Sequence, residues 1–180
     1  MSASDALRES REDRCVRMLR EHDGALRRLA AGYERDPSRR QDLVQDIWLA
    51  VWQALPRFRD DCSERTFVFR IAHNRAVSHI QHWQRRRTDS LDDDAPIAAT
   101  GTDVEHTMSQ QQRRERLQAA VQSLPLGLRQ VVVLTLEGLT NAEVADIVGI
   151  SENNVAVRMT RARAELTRLL GAGGRQPSHG

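Results

Sequence analysis

Leu139 to Leu170 reads LTNAEVADIVGISENNVAVRMTRARAELTRLL, and its spacing predicts a short helix, a tight turn and a longer basic helix. Thr140 and Glu143 stand as in a capping box, where a hydroxyl and a carboxylate satisfy free N–H groups at a helix start. Val144, Ile147 and Val148 give the short helix an apolar stripe. Gly149 falls where that helix must stop, since glycine enters the left-handed conformation at little cost. Ser151 is placed to cap the second helix.

In the second helix Val155, Met159, Ala162, Leu166 and Leu169 recur at alternating steps of four and three, the stripe of a helix packed on one side. At roughly 100° per residue, Asn153, Asn154, Val157, Thr160, Arg161 and Arg168 point away from it. That outer face is expected to carry amides, a hydroxyl and guanidinium groups without a carboxylate. Such groups read base edges and hold phosphates in a major groove. Ala145, Gly149 and Val155 allow two helices to cross closely, as in helix-turn-helix units. The same spacing also admits an ordinary helical hairpin with a solvated basic face.

The chain has 180 residues, 39% hydrophobic and 29% charged, which suits one domain or two small soluble ones. The formal net charge is only +2, so a nucleic-acid role depends on where charge sits rather than on its total. Cys15 and Cys62 are the only cysteines, too few for a metal set or a disulfide framework, which fits a reducing cytoplasm. No apolar run approaches the roughly 20 residues of a membrane span. The opening MSASDALRESREDR lacks the apolar core of a signal peptide. A cytoplasmic protein without membrane insertion is expected.

Residues up to about Glu34 read as helix, with Leu7, Val16, Leu19, Leu26, Leu29 and Ala30 as an intermittent apolar face, Gly24 as a point of interruption and the first dozen residues as frayed. Asp36-Pro37-Ser38 is a turn signal. A helix from about Arg39 to Leu55 stops at Pro56 and carries two apolar stripes: Leu43, Ile47, Ala50, Ala54, and Val44, Trp48, Val51, Trp52, Leu55. Two stripes imply either a central helix in a small bundle or a face that meets a partner. After a loop with Arg57, Phe58 and Arg59, Ser63 caps a long helix that buries Phe69, Ala72, Ala76, Ile80 and Trp83. A different strip, Phe67, Arg70, Asn74, Ser78, Gln81 and Arg85, mixes cations, amides, a hydroxyl and an aromatic ring without acids. It suits an unpaired nucleic-acid strand, whose bases stack and whose phosphates need cations; a solvated face with Phe67 in the core is the alternative. His79 and His82 stand one turn apart, yet no third ligand lies at metal-site spacing, so exposed structural histidines and no metal or cofactor are expected.

From Thr88 to about Met108 the chain is acidic, contains Pro96 and Gly101 and shows no period, the composition of a linker. Helix resumes near Ser109 with Leu117, Ala120, Val121 and Leu124 as its buried side. Pro125 precedes a further helix closed by Gly138. GAGGRQPSHG at the end reads as disordered. The expectation is all-α: two small helical domains joined by a flexible acidic linker. No phosphate loop, nucleophile triad or paired catalytic carboxylates can be assembled, so an enzyme is not expected.

DLVQDIWLAVW at Asp42 to Trp52, TFVFRIAHNRAVSHIQ at Thr66 to Gln81, and LPLGLRQVVVLTLEGLTNAEVADIVGISENNVAVRMTRARAEL at Leu124 to Leu166 occur in that order. Together they resemble the clamp-binding helix, the promoter-melting helix and the C-terminal DNA-binding region of the extracytoplasmic-function (ECF) sigma factors, compact sigma subunits of bacterial RNA polymerase. The resemblance implies region two over residues 1–87, a linker over 88–108 that runs through the polymerase's RNA path, region four over 109–170 and a tail over 171–180. Asp42, Leu43, Gln45, Asp46, Trp48 and Leu49 would meet the clamp helices of core polymerase. Arg57, Phe58, Arg65, Phe67, Arg70, Asn74, Ser78 and Gln81 would take the minus-ten element as an opened strand, with the loop Arg57 to Arg65 holding a flipped base. Ser151, Asn153, Asn154, Val157, Arg158, Thr160, Arg161 and Arg168 would enter the minus-thirty-five major groove, with region four on the polymerase flap. A cognate anti-sigma factor is implied as a further partner. The family often has tryptophan where Phe67 stands. The rival readings are a stand-alone helix-turn-helix regulator acting without core polymerase, and a helical adaptor with no DNA role.

Overall fold

The computed structural model describes residues 10–89 and 109–172, and among these every regular element is helical. The helices are α1 (Arg11–Tyr33), α2 (Pro37–Ala54), α3 (Glu64–Asp89), α4 (Gln110–Ser123), α5 (Leu126–Leu136), α6 (Asn141–Val148) and α7 (Glu152–Ala172). The first nine residues, most of the expected linker and most of the expected tail lie outside the described residues. The chain forms two compact units that divide at Ser78, inside α3. Ala76 is the last fully buried side chain of that helix among the described residues, so its remaining turns add little to the first core.

In the first unit α1 runs unbroken through Gly24, which is exposed. A helix-interior glycine costs about 1 kcal/mol relative to alanine, and Met18, Leu26 and Leu29, all fully buried on either side of it, outweigh that. Asp36-Pro37-Ser38 is a helix start rather than a free turn. The Asp36 carboxylate accepts the Arg39 N–H at 2.8 Å, and Pro37 takes the first position, where no N–H is needed. Pro56 ends α2, and a single 3-10 turn over Leu55–Arg57 follows. Both stripes of α2 are used: Leu43, Ile47 and Ala50 are buried, and so are Val44, Val51 and Leu55. Trp48 and Trp52 are half-buried. The Trp48 indole donates to Asp23 at 3.1 Å, and the Arg11 guanidinium lies 3.9 Å over the Trp52 ring. On α3 the buried apolar residues are Val68, Phe69, Ala72 and Ala76, while Ile80 and Trp83 are only half-covered.

In the second unit α7 packs against α4, α5 and α6. Its stripe is buried at Val155 and Ala162 and half-buried at Met159, Leu166 and Leu169. Facing it are Val131, Val132, Val133 and Leu134 of α5 and Val144, Ala145 and Ile147 of α6. Leu117, read as core from its spacing, is 40% exposed because α4 is covered only from its C-terminal half, at Ala120, Val121 and the following Leu124.

His73, which the spacing did not place, belongs to the core. It is 4% exposed, and its Nδ1 sits 3.4 Å from the Tyr33 hydroxyl. Burial lowers its pKa to about 4. The unfolded chain therefore takes up a proton that the folded bundle refuses between about pH 6.5 and pH 4. More protons bound in the unfolded state means that stability rises with pH in this window. Stability is full above it and falls by about 3 kcal/mol as the pH drops to the bottom of the window. Half-buried His22, also lowered mainly by burial, adds in the same direction. Urea unfolding at pH 7.5 and pH 5 is expected to show the loss, and a His73→Gln variant a shallower pH slope.

Candidate nucleic-acid interface

The helix-turn-helix is built by local chemistry. The Thr140 N–H donates to Glu143 Oε2 at 2.8 Å, and the Glu143 N–H donates back to the Thr140 hydroxyl at 3.3 Å, closing a capping box. Gly149 has φ 76°, and the Ala145 carbonyl accepts both the Gly149 and Ile150 N–H groups. An L side chain at this left-handed position would cost about 1–2 kcal/mol. Ser151 then caps α7, accepting the Asn154 N–H at 3.2 Å.

On α7, Ser151, Asn153, Asn154, Val157, Thr160, Arg161 and Arg168 are exposed. Thr160 donates its hydroxyl hydrogen to the Ala156 carbonyl, leaving its methyl and oxygen lone pairs outward. Arg158 differs from the others. It is half-buried, its Nε donates to Asn154 Oδ1 at 3.1 Å, and its Nη1 reaches the Gly127 carbonyl at 3.4 Å. Three residues after Val155, it lies about 60° round the helix from the buried stripe, so it leans back onto the bundle. The face is also not free of acids: Glu165 forms a two-pronged ion pair with Arg168, and exposed Glu152 stands in the first turn. Arg161 is the guanidinium on this face for which the described residues show no acid partner.

Along α3, Asn74, Ser78, Gln81 and Arg85 are exposed and Arg70 and Phe67 are half-buried, with Gln81 and Arg85 lying past the division at Ser78. Phe67 is neither in the core nor projecting alone. Its ring stacks on Phe58 of the preceding loop with centroids 4.4 Å apart and planes 28° from parallel. The Arg14 guanidinium covers Phe58 from 4.9 Å. Arg57 and Arg65 are exposed, and Arg65 lies 5.6 Å over the Phe69 ring.

The α1 contribution to this loop was missed by sequence reasoning. Arg14 donates to Asp60 at 2.6 Å and to Glu64 at 2.8 Å, and Arg17 donates to both Glu64 oxygens at 2.8 and 2.9 Å. Hydrogen bonding from Arg17, then from Arg14, holds the Glu64 carboxyl below its ordinary pKa. Asp60 has φ 56°, the single non-glycine residue among those described with positive φ. No spacing rule links residues so far apart in sequence.

Asp42, Gln45, Asp46 and Leu49 are exposed on α2 at steps that share one helix face, and Leu49 is 55% exposed. Leu43, expected among them, is 1% exposed and belongs to the core: it lies on the opposite stripe with Ile47 and Ala50. Half-buried Trp48 is spoken for by Asp23. Among the described residues no cluster of His, Cys, Asp or Glu fits a metal ion, and no helix is long and apolar enough to cross a membrane.

A helix-turn-helix body and a second bundle with a cation–amide strip define a two-part DNA-binding protein of the transcription machinery. Comparison with known proteins makes the class specific. Residues 18–87 match Sigma-70 region 2, and residues 114–166 match Sigma-70, region 4. The ECF RNA polymerase sigma factor SigM of Mycobacterium tuberculosis is 30% identical over 155 residues, covering 86% of this chain and 76% of that one. The solved structure of CnrH in complex with the cytosolic domain of CnrY superposes with a TM-score of 0.65 at 27% identity, covering 88% of each chain. The sigma factor RpoE from Bartonella quintana, solved with the anti-sigma factor NepR, shares the fold with a TM-score of 0.70 at 23% identity, over 87% of this chain and 96% of that one. The chain belongs to the ECF sigma factors of bacterial RNA polymerase. A regulator with the helix-turn-helix alone is not favoured, since both sigma regions are present.

Glu64 gives a direct test of the α1–α3 tie. Its pairing contributes stability above the ordinary carboxylate pKa and loses it as pH falls through the lowered value. Glu64→Gln is expected to cost about 1 kcal/mol at neutral pH, with the gap to the native chain closing in acid, as read by urea unfolding.

Proposed function

We propose that the two exposed polar faces divide promoter recognition between them. On this reading Arg70, Asn74, Ser78 and Gln81 on α3 take the minus-ten element as an opened strand. The loop Arg57 to Arg65 with Phe67 holds an unstacked base. Asn153, Asn154, Val157 and Arg161 on α7 enter the minus-thirty-five major groove, and Arg158 sets the orientation of Asn154. The exposed face Asp42, Gln45, Asp46 and Leu49 docks on the clamp helices of core polymerase, and region four sits on the flap. The observation that carries this is the composition of the α3 strip: exposed amides, a hydroxyl and cations with no carboxylate on a helix that already has a buried face.

The chain acts in the cytoplasm without catalysis of its own. Strand opening is driven by capture of unstacked bases rather than by nucleotide hydrolysis. Two weak contacts joined by a tether reinforce one another once core polymerase sets their spacing. The Bartonella RpoE was solved with the anti-sigma factor NepR bound, and CnrH with the cytosolic domain of CnrY; a cognate anti-sigma factor is proposed here too.

Adding the protein to core bacterial polymerase and sequencing transcripts initiated on genomic fragments tests the proposal. Uniform starts that share a pair of upstream elements are expected, and absence of initiation above core alone would overturn it. Arg161→Ala is expected to weaken binding to the minus-thirty-five duplex by about 1–3 kcal/mol. Asn74→Ala is expected to slow opening, followed by permanganate reactivity, while duplex binding persists.

A further inference from the structure

We infer that α1 is a working part of the strand-reading site: Arg14 and Arg17 are positioning residues that hold the loop before α3 in its base-accepting shape. The inference rests on the proposed role of that loop and goes beyond it, since it assigns function to a helix outside the sites described so far.

Three observations converge on it. Between the 3-10 turn and the Ser63 cap the loop contains no regular element. Two of its fixed points come from α1. Arg14 ties Asp60 in the middle of the loop and Glu64 at its exit, and Arg17 grips both oxygens of the same Glu64. The same Arg14 guanidinium covers Phe58, whose ring is stacked on Phe67. One side chain thus sets both the path of the backbone and the tilt of the aromatic pair. Asp60 adopts a left-handed conformation that aspartate visits at a cost, and its bond to Arg14 offsets that cost.

Magnitudes distinguish positioning from bulk stability. The Asp60 side chain is 67% exposed, so its pair with Arg14 adds little to folding. The same bond still selects one loop conformer among several of similar energy, and preorganisation of that kind appears as affinity for the strand. The chain contains no lysine, and both pairs use the flat guanidinium fork, which lysine lacks.

The test uses holoenzyme made from core polymerase and full-length protein, with fluorescent single-stranded minus-ten oligonucleotides carrying each of the four bases in turn at every position. Asp60→Asn is the decisive variant: asparagine tolerates the left-handed conformation, so the backbone is kept while the charge is lost. Asp60→Asn and Arg14→Lys are both expected to lower strand affinity roughly fivefold and to flatten base preference at one position. For Asp60→Asn, binding of the minus-thirty-five duplex and the unfolding midpoint are expected to stay near native values. Undiminished base preference in both variants would overturn the inference, as would a loss of affinity matched by an equal loss of stability. If native holoenzyme shows no preference for the strand at all, the strand-reading role itself fails, which is a separate result.

Discussion

Two bundles this small can hide one stripe of each helix and little more. Surface grows relative to volume as a domain shrinks, so most of each helix stays in water. Two helices escape: α5, where the consecutive Val131, Val132, Val133 and Leu134 are all buried, and α2, whose two stripes are largely covered and whose surplus apolar content looked in sequence like a partner face. The other helices are amphipathic, and on the proposed reading the chemistry the protein offers to others rides on faces the cores have no use for. The α3 strip and the α7 outer face are both of this kind. A long helix anchored on one side by Phe69 or Val155 presents its opposite side rigidly, at no further folding cost.

The division of labour between core and charge follows from magnitudes. Burying a side chain such as Phe69 contributes about 1.5–3 kcal/mol, whereas an exposed ion pair contributes about 0–1 kcal/mol. The fold is therefore held by Met18, Leu26, Leu29, Ile47, Val51 and Phe69, and would survive loss of any single surface pair. Ion pairs decide finer matters. Glu64 sits at the start of α3, where a carboxylate is favoured by the helix dipole, and it also collects two arginines from α1. That combination ties the start of α3 to α1.

What the sequence made legible was local. The capping box at Thr140, the left-handed Gly149 and the Ser151 cap are short-range devices, and each stands where its spacing placed it. The all-helical class and the two-part division were legible for the same reason, since helical periodicity needs no knowledge of partners. Where reading failed, a tertiary contact had overruled a local rule. Gly24 did not break α1 because its neighbours are fully buried. Leu117 lies at the open end of a stripe covered only from Ala120 onward, and Leu43 belongs to the core rather than to the proposed docking face. His73 was not placed, because a single histidine carries no period of its own. Arg14 and Arg17 showed no pattern, because their partners lie 46 to 50 residues away.

Charge placement also bears on why such a protein would depend on a larger enzyme. Arg168 is neutralised by Glu165, Arg27 by Asp23, and Arg17 by Glu64, so several cations suited to phosphates are already engaged within the chain. Non-specific affinity for DNA scales with the number of phosphates a surface can neutralise. On the proposed reading, a chain of net charge +2 holds duplex DNA weakly by either body alone. Selectivity then comes from requiring both contacts at the spacing that core polymerase imposes, because only the joint event gains the advantage of linkage. A more basic surface would bind more tightly and discriminate less, so the internal ion pairs serve recognition more than they serve the fold.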